Sequence, residues 1–67
     1  MDQTPQLTGR EIQIVRFIAR GLTTPQIAEA LSLSPETVKW HRKKILEKFS
    51  AATSAEMVRM SIEQGII

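Results

Sequence analysis

Between Lys39 and Lys48, ten residues carry five of the chain's nine basic side chains, a single acid (Glu47), the one tryptophan (Trp40) and the one histidine (His41). Ammonium and guanidinium groups beside an aromatic ring break no bonds, but they match a polyanion such as DNA, whose affinity for proteins rests on neutralised phosphates. A solvated helix face is the plainer reading of any such run. Presentation separates the two. Val38, Arg42, Ile45 and Phe49 recur at steps of three and four with Leu46 beside them, so the apolar members form a stripe that must be buried. The opposite side carries Glu36, Lys39, Trp40, Lys43 and Glu47. Ser34 is placed to cap this helix and Pro35 supplies the fixed φ of a first helical position, which predicts a helix over Pro35 to Phe49. One greasy face and one cationic face with an exposed aromatic is the design of a helix that enters the major groove.

The elements upstream fit that role. Thr23-Thr24-Pro25-Gln26 offers a cap with Gln at the third helical position, and Ile27, Ala28 and Leu31 give a short helix from about Pro25 to Leu31 one apolar face. Only Ser32, Leu33 and Ser34 separate it from the next helix, the length of a helix-turn-helix connection. Leu33 is expected to plug the corner, and the small Ala28 lets the two helices approach closely. Two more helices bracket the pair. Thr8-Gly9-Arg10-Glu11 is a capping box that opens a helix ending near Arg20 at Gly21, with Ile14, Val15 and Ile18 buried and Arg10, Glu11, Gln13, Arg16 and Arg20 on the solvated side. A second box, Thr53-Ser54-Ala55-Glu56, opens the last helix, which Gly65 terminates. Its inner face is expected to hold Met57, Val58, Ser61 and Ile62, leaving Glu56, Arg59, Met60 and Glu63 outward. No period-two alternation occurs, so the fold class is all-α, a four-helix domain containing a helix-turn-helix.

Composition narrows the function classes. Sixty-seven residues, 42% of them hydrophobic, suffice for one core and leave no room for two. Residues 1–6 are polar and read as a flexible N-terminal segment, with the domain spanning 7–67. The absence of cysteine excludes disulfides and thiolate metal sites. No apolar run approaches the roughly 20 residues that cross a bilayer, and no signal-peptide layout opens the chain, so a soluble, cytoplasmic protein is expected. A lone His41 without a second ligand at metal spacing argues against a metal site, and no nucleophile sits beside a base, so neither an enzyme nor a cofactor is expected.

Taken in order, Leu7-Thr8-Gly9-Arg10-Glu11, Ala19-Arg20-Gly21-Leu22-Thr23, Gln26-Ile27-Ala28, Ser34-Pro35-Glu36-Thr37-Val38-Lys39-Trp40-His41, Ile45 and Lys48-Phe49 resemble the C-terminal DNA-binding domain of LuxR-type (GerE-like) transcription regulators. The resemblance covers nearly the whole chain. It implies a second and third helix forming the helix-turn-helix and a fourth helix that serves as a dimer contact. By position it assigns base contacts to Lys39, Trp40 and Lys43, and phosphate contacts to Thr23, Thr24, Thr37, His41 and Lys44. The dimer contact would fall on the outward strip Glu56, Arg59, Met60 and Glu63, too narrow for more than a weak homodimer. Gln26 stands where the family usually has Glu, Trp40 where it more often has a small or polar residue, and Ala51 and Ser54 where Val and Arg are common.

Three readings follow. The first is sequence-specific binding of double-stranded DNA by a bacterial transcription regulator. The second is a sigma-factor-like promoter-binding domain, with RNA polymerase as partner. The third is a small helical protein-interaction module. Val38-Lys39-Trp40-His41, followed by Ile45, Lys48 and Phe49, favours the first. With no receiver or ligand-binding domain among these residues, the chain is expected to be an excised output module or a stand-alone regulator.

Overall fold

The computed structural model describes residues 5–67 and folds them into four helices: α1 (Gly9–Ala19), α2 (Thr24–Leu31), α3 (Pro35–Phe49) and α4 (Ser54–Glu63). Among the described residues no strand forms. Of the N-terminal segment expected to be flexible, residues 1–4 lie outside the described residues, while the Gln6 carbonyl accepts a hydrogen bond from Lys48 Nζ at 3.0 Å. Helix α3 packs against α1, α2 and α4, and α1 also packs against α4. The core where they meet is built from Ile14 and Val15 of α1, Ile27 and Ala28 of α2, Val38, Ile45 and Phe49 of α3 and Met57 of α4. Each fully buried side chain of this size contributes about 1.5–3 kcal/mol, a large share of the stability of so small a domain.

The helix starts follow the sequence closely. Thr8 and Glu11 close a reciprocal capping box (Glu11 N–H to Thr8 Oγ1 3.1 Å, Thr8 N–H to Glu11 Oε1 2.9 Å), and Thr23 and Gln26 close another. Ser34 Oγ accepts from the Thr37 N–H at 3.1 Å, with Pro35 opening α3. At α4 only half of the expected box is made: Thr53 Oγ1 accepts from the Glu56 N–H at 3.1 Å.

The helix ends share one device that the sequence showed only in part. Gly21, Ser32, Ser50 and Gly65 all adopt left-handed backbone, with φ of 89°, 55°, 54° and 73°. The next residue's N–H then reaches back five residues: Leu22 to Phe17 (3.1 Å), Leu33 to Ala28 (2.8 Å), Ala51 to Leu46 (2.9 Å) and Ile66 to Ser61 (2.8 Å). Leu22, Leu33, Ala51 and Ile66 are all partly buried against the core, which completes the hydrophobic half of the motif. Leu33 thereby plugs the corner between α2 and α3, as its position suggested. For the two serines the left-handed conformation costs roughly 1–2 kcal/mol each, which the back-bond and the buried neighbour offset.

Two expectations about helix faces are corrected. Glu11, read as solvated, is only 5% exposed. Its position three and four residues before Ile14 and Val15 puts it in the middle of the buried stripe, where Lys48 Nζ of α3 meets its Oε1 at 2.7 Å. On α4, Ile62 is 59% exposed rather than inward, and Met60 is half-buried against the core rather than outward. The fully buried positions are Met57 and Ser61, so the inward direction lies between them. At about 100° per residue, Val58 and Met60 then sit symmetrically at the margins, and Ile62 lies about 120° away. The Ser61 hydroxyl is satisfied within the helix by donating to the Met57 carbonyl at 2.8 Å.

Burial pushes the Glu11 carboxyl up, but the hydrogen bonds from Lys48 and from the Thr8 N–H, together with the Lys48 charge, outweigh it and hold the group below its ordinary value of 4.5. A depressed carboxyl stabilises the fold above the unfolded-state pKa, and that contribution is lost as pH falls through the folded value. Glu11→Gln should therefore cost about 1–3 kcal/mol at neutral pH, a drop in Tm of about 4–8 °C for each kcal/mol. The gap between wild type and variant should close as pH falls below 4.5. Thermal melts across that range would refute the pairing if the gap stayed constant.

Candidate nucleic-acid interface

Helix α3 separates its chemistry by angle. Trp40, Lys43, Lys44 and Glu47 lie opposite the buried Val38, Ile45 and Phe49, and line a shallow open cleft of about 150 Å³. Trp40 is 57% exposed and Lys43 and Lys44 are exposed as well. Lys44 Nζ stands 5.4 Å from the centre of the indole, a cation–π contact one helical turn along the helix. His41 is half-buried and meets Trp40 edge-on, ring centres 5.2 Å apart and planes at 74°. Lys39, also exposed, sits to one side of the cleft.

The remaining expected phosphate-side residues cluster at helix N-termini. Thr23 caps α2, its Oγ1 accepting from the Gln26 N–H at 3.3 Å and its own N–H donating to Gln26 Oε1 at 2.8 Å. Thr37 shares a 2.9 Å hydroxyl contact with the α3 cap Ser34. Thr24 is half-buried, and its hydroxyl oxygen accepts from Arg42 Nη1 at 2.7 Å. Through that bond the start of α2 is tied to the middle of α3.

Arg42 is the residue that sequence reasoning missed as a functional support. Besides Thr24 it donates from Nη2 to Ser54 Oγ at 2.6 Å, so one guanidinium joins α3 to the first residues of both α2 and α4. The signal was present: an arginine at a core-facing step of an otherwise apolar stripe needs partners, and hydroxyls open both neighbouring helices. Lys48, counted in the basic run, is likewise drawn away to Glu11 and Gln6. The free cations of α3 are therefore Lys39, Lys43 and Lys44.

On α4 the expected dimer strip is partly self-satisfied. Arg59 Nη1 reaches both carboxylate oxygens of Glu63 at 3.0 Å, Glu56 is half-buried and Met60 belongs to the core margin. Ile62 is the exposed apolar side chain of that surface. No helix is long and apolar enough to cross a membrane among the described residues, and no three of their His, Asp or Glu side chains gather as metal ligands.

A short helix, a three-residue connection with a left-handed serine, and a longer helix with an open cationic face define a helix-turn-helix DNA-binding domain. The model of the bacterial regulatory proteins of the luxR family matches residues 5–61, and the chain belongs to that family. It is 37% identical over 60 residues to the transcriptional regulatory protein FixJ of Azorhizobium caulinodans, a match covering 90% of this chain and 28% of FixJ. The response regulator ChrA of a heme-sensing two-component system superposes with a TM-score of 0.90 at 30% identity, over 96% of this chain and 32% of ChrA. Vibrio cholera VqmA shares the fold, with a TM-score of 0.85 at 24% identity, over 98% of this chain and 29% of VqmA. The chain thus spans less than a third of each of these three proteins. Family membership selects the transcription-regulator reading over the sigma-type and protein-interaction alternatives.

If Arg42 clamps α3 to its neighbours, Arg42→Met should cost about 1–3 kcal/mol in denaturant unfolding. The same change made in a Ser54→Ala background should cost less, since the partners share one network. Strictly additive costs would show that the guanidinium contributes nothing through Ser54.

Proposed function

We propose that the unit 7–67 binds double-stranded DNA sequence-specifically by laying α3 in the major groove, as the output part of a cytoplasmic transcription regulator. Lys39, Trp40 and Lys43 face the bases, while Thr23, Thr24, Thr37, His41 and Lys44 face the backbone. The observation that carries this reading is the division of α3, whose buried stripe fixes it to three helices while Trp40, Lys43 and Lys44 stay open on the far side. The VqmA structure, similar in fold, is of a complex with ligand and DNA. Lysine at 39 and 43 suits guanine, whose O6 and N7 both accept. Hydroxyls at the starts of α2 and α3 suit phosphate oxygens, since the positive end of each helix dipole favours anions there.

The α4 surface serves as a weak homodimer contact in this reading. Glu56, Arg59, Met60 and Glu63 form it, and exposed Ile62 lies at its Arg59 edge. A patch this small buries less than the roughly 1,200 Å² of a stable interface, so pairing would occur on two-half-site DNA and not in free solution. Ile62→Glu should abolish cooperative occupancy of paired half-sites and leave single half-site affinity unchanged. Cooperativity that survives the substitution places the contact elsewhere.

Groove binding has its own test. If Lys39, Lys43 and Lys44 each displace about one counterion, log affinity should fall against log salt with a slope of about −3, and Lys44→Ala should reduce that slope by about 0.9. Lys43→Ala should instead lose about 1–3 kcal/mol of discrimination between target and scrambled duplex. Affinity indifferent to salt, or unchanged discrimination in the Lys43 variant, would overturn the assignment.

A further inference from the structure

We propose that Trp40 reads the 5-methyl group of a thymine in the major groove and so fixes the base at that position of the binding site. This rests on α3 entering the groove, and it assigns a ligand chemistry to a side chain unlike the lysines around it. A tryptophan 57% exposed is unusual for a residue that is ordinarily well buried, and its ring contacts do not bury it. Those contacts are His41 at its edge and the Lys44 ammonium 5.4 Å from its centre. They orient the indole, and they leave it facing the cleft that it shares with Lys43 and Glu47.

What can occupy that cleft follows from the base edges. In the major groove thymine alone presents an apolar group, the C5-methyl, and it lies next to the O4 acceptor. Indole offers the complement: an apolar ring with one N–H donor and no acceptor. Cytosine and adenine would each point an amino donor at a side chain that cannot accept it. Guanine, with two acceptors, is better served by the ammonium of Lys43 one turn away. Because the Lys44 charge is held against the ring, the phosphate-facing cation and the base-reading ring are also tied in register.

The test uses the 67-residue chain and a duplex enriched from a random pool. Each thymine of that duplex is replaced in turn by deoxyuridine, which removes the methyl and nothing else. Wild type should lose about threefold to fivefold in affinity at one thymine per half-site, the effect of exposing about one buried methyl. Trp40→Ala should bind the thymine and deoxyuridine duplexes equally, with an unchanged melting temperature because the side chain is outside the core. At the same position 5-methylcytosine should recover part of the affinity that cytosine loses. Wild type indifferent to deoxyuridine at every position, on a sequence that the pool does enrich, overturns the thymine assignment and leaves groove binding standing. Deoxyuridine sensitivity that persists in Trp40→Ala gives the methyl to another residue and overturns it too. A pool that yields no enriched sequence overturns groove binding itself, and the assignment with it.

Discussion

Helix α3 must touch every other helix of the domain and still keep one side open, and the rest of the structure answers that constraint. Fifteen residues cannot be apolar on three contact faces without becoming a helix that hides altogether. Polar residues therefore fall on the packed side, and each needs a partner there. Arg42 takes the Thr24 and Ser54 hydroxyls, and Lys48 takes the Glu11 carboxylate and the Gln6 carbonyl. No buried side-chain nitrogen or oxygen among the described residues is left without a hydrogen-bond partner. The two cations that look like part of the binding surface thus orient it, and Lys39, Lys43 and Lys44 remain to meet a ligand.

The turns position that helix by the same economy. Each of the four helices closes with a left-handed residue, a back-bond across five residues and an apolar side chain folded onto the core. At Ser32 this closure is also the corner of the helix-turn-helix: Leu33 donates to the Ala28 carbonyl, and Ala28, only 3% exposed, lies within the α2–α3 packing. The backbone strain at Ser32 is local, and it sets the angle at which α3 leaves α2. A residue that adopted ordinary helical φ there would extend α2 and swing α3 away from its contacts with α1 and α4.

How much of this could be read beforehand depends on whether a feature is local. Caps are local: Thr8, Thr23, Ser34 and Thr53 each act on residues three positions away, so spacing alone revealed them. The α3 stripe and the exposure of Trp40 follow from one helix's own angles. The left-handed serines were invisible because serine, unlike Gly21 and Gly65, carries no signal for positive φ. Glu11 was misplaced by giving its charge more weight than its angle, which lies within the Ile14–Val15 stripe. Its partner is 37 residues away, and only the packing of α1 on α3 brings the two together. Met60 and Ile62 exchanged roles because the inward direction lies between Met57 and Ser61, both expected inward, while counting Val58 and Ile62 with them turned the expected face by about 50° toward Ile62.

The small net charge of +2 then fits the proposed function instead of opposing it. Glu11 is matched by Lys48 on the packed side and Glu63 by Arg59 on α4, so two acids and two bases cancel away from the cleft. What is left on the outer side of α3 is Lys39, Lys43 and Lys44 against Glu36 and Glu47, while α1 keeps Arg10, Arg16 and Arg20 exposed. Coulomb attraction between exposed charges fades over about 8–10 Å at physiological salt, so what matters to a phosphate is the local arrangement and not the sum. In the proposed reading, three exposed lysines give modest non-specific affinity, so the domain is not held at random duplex. Discrimination is left to short-range contacts, where an indole fixed between a histidine and a lysine gives up less freedom on binding than a mobile side chain does. In the proposed reading, selectivity comes from one aromatic reader held beside the lysines of α3.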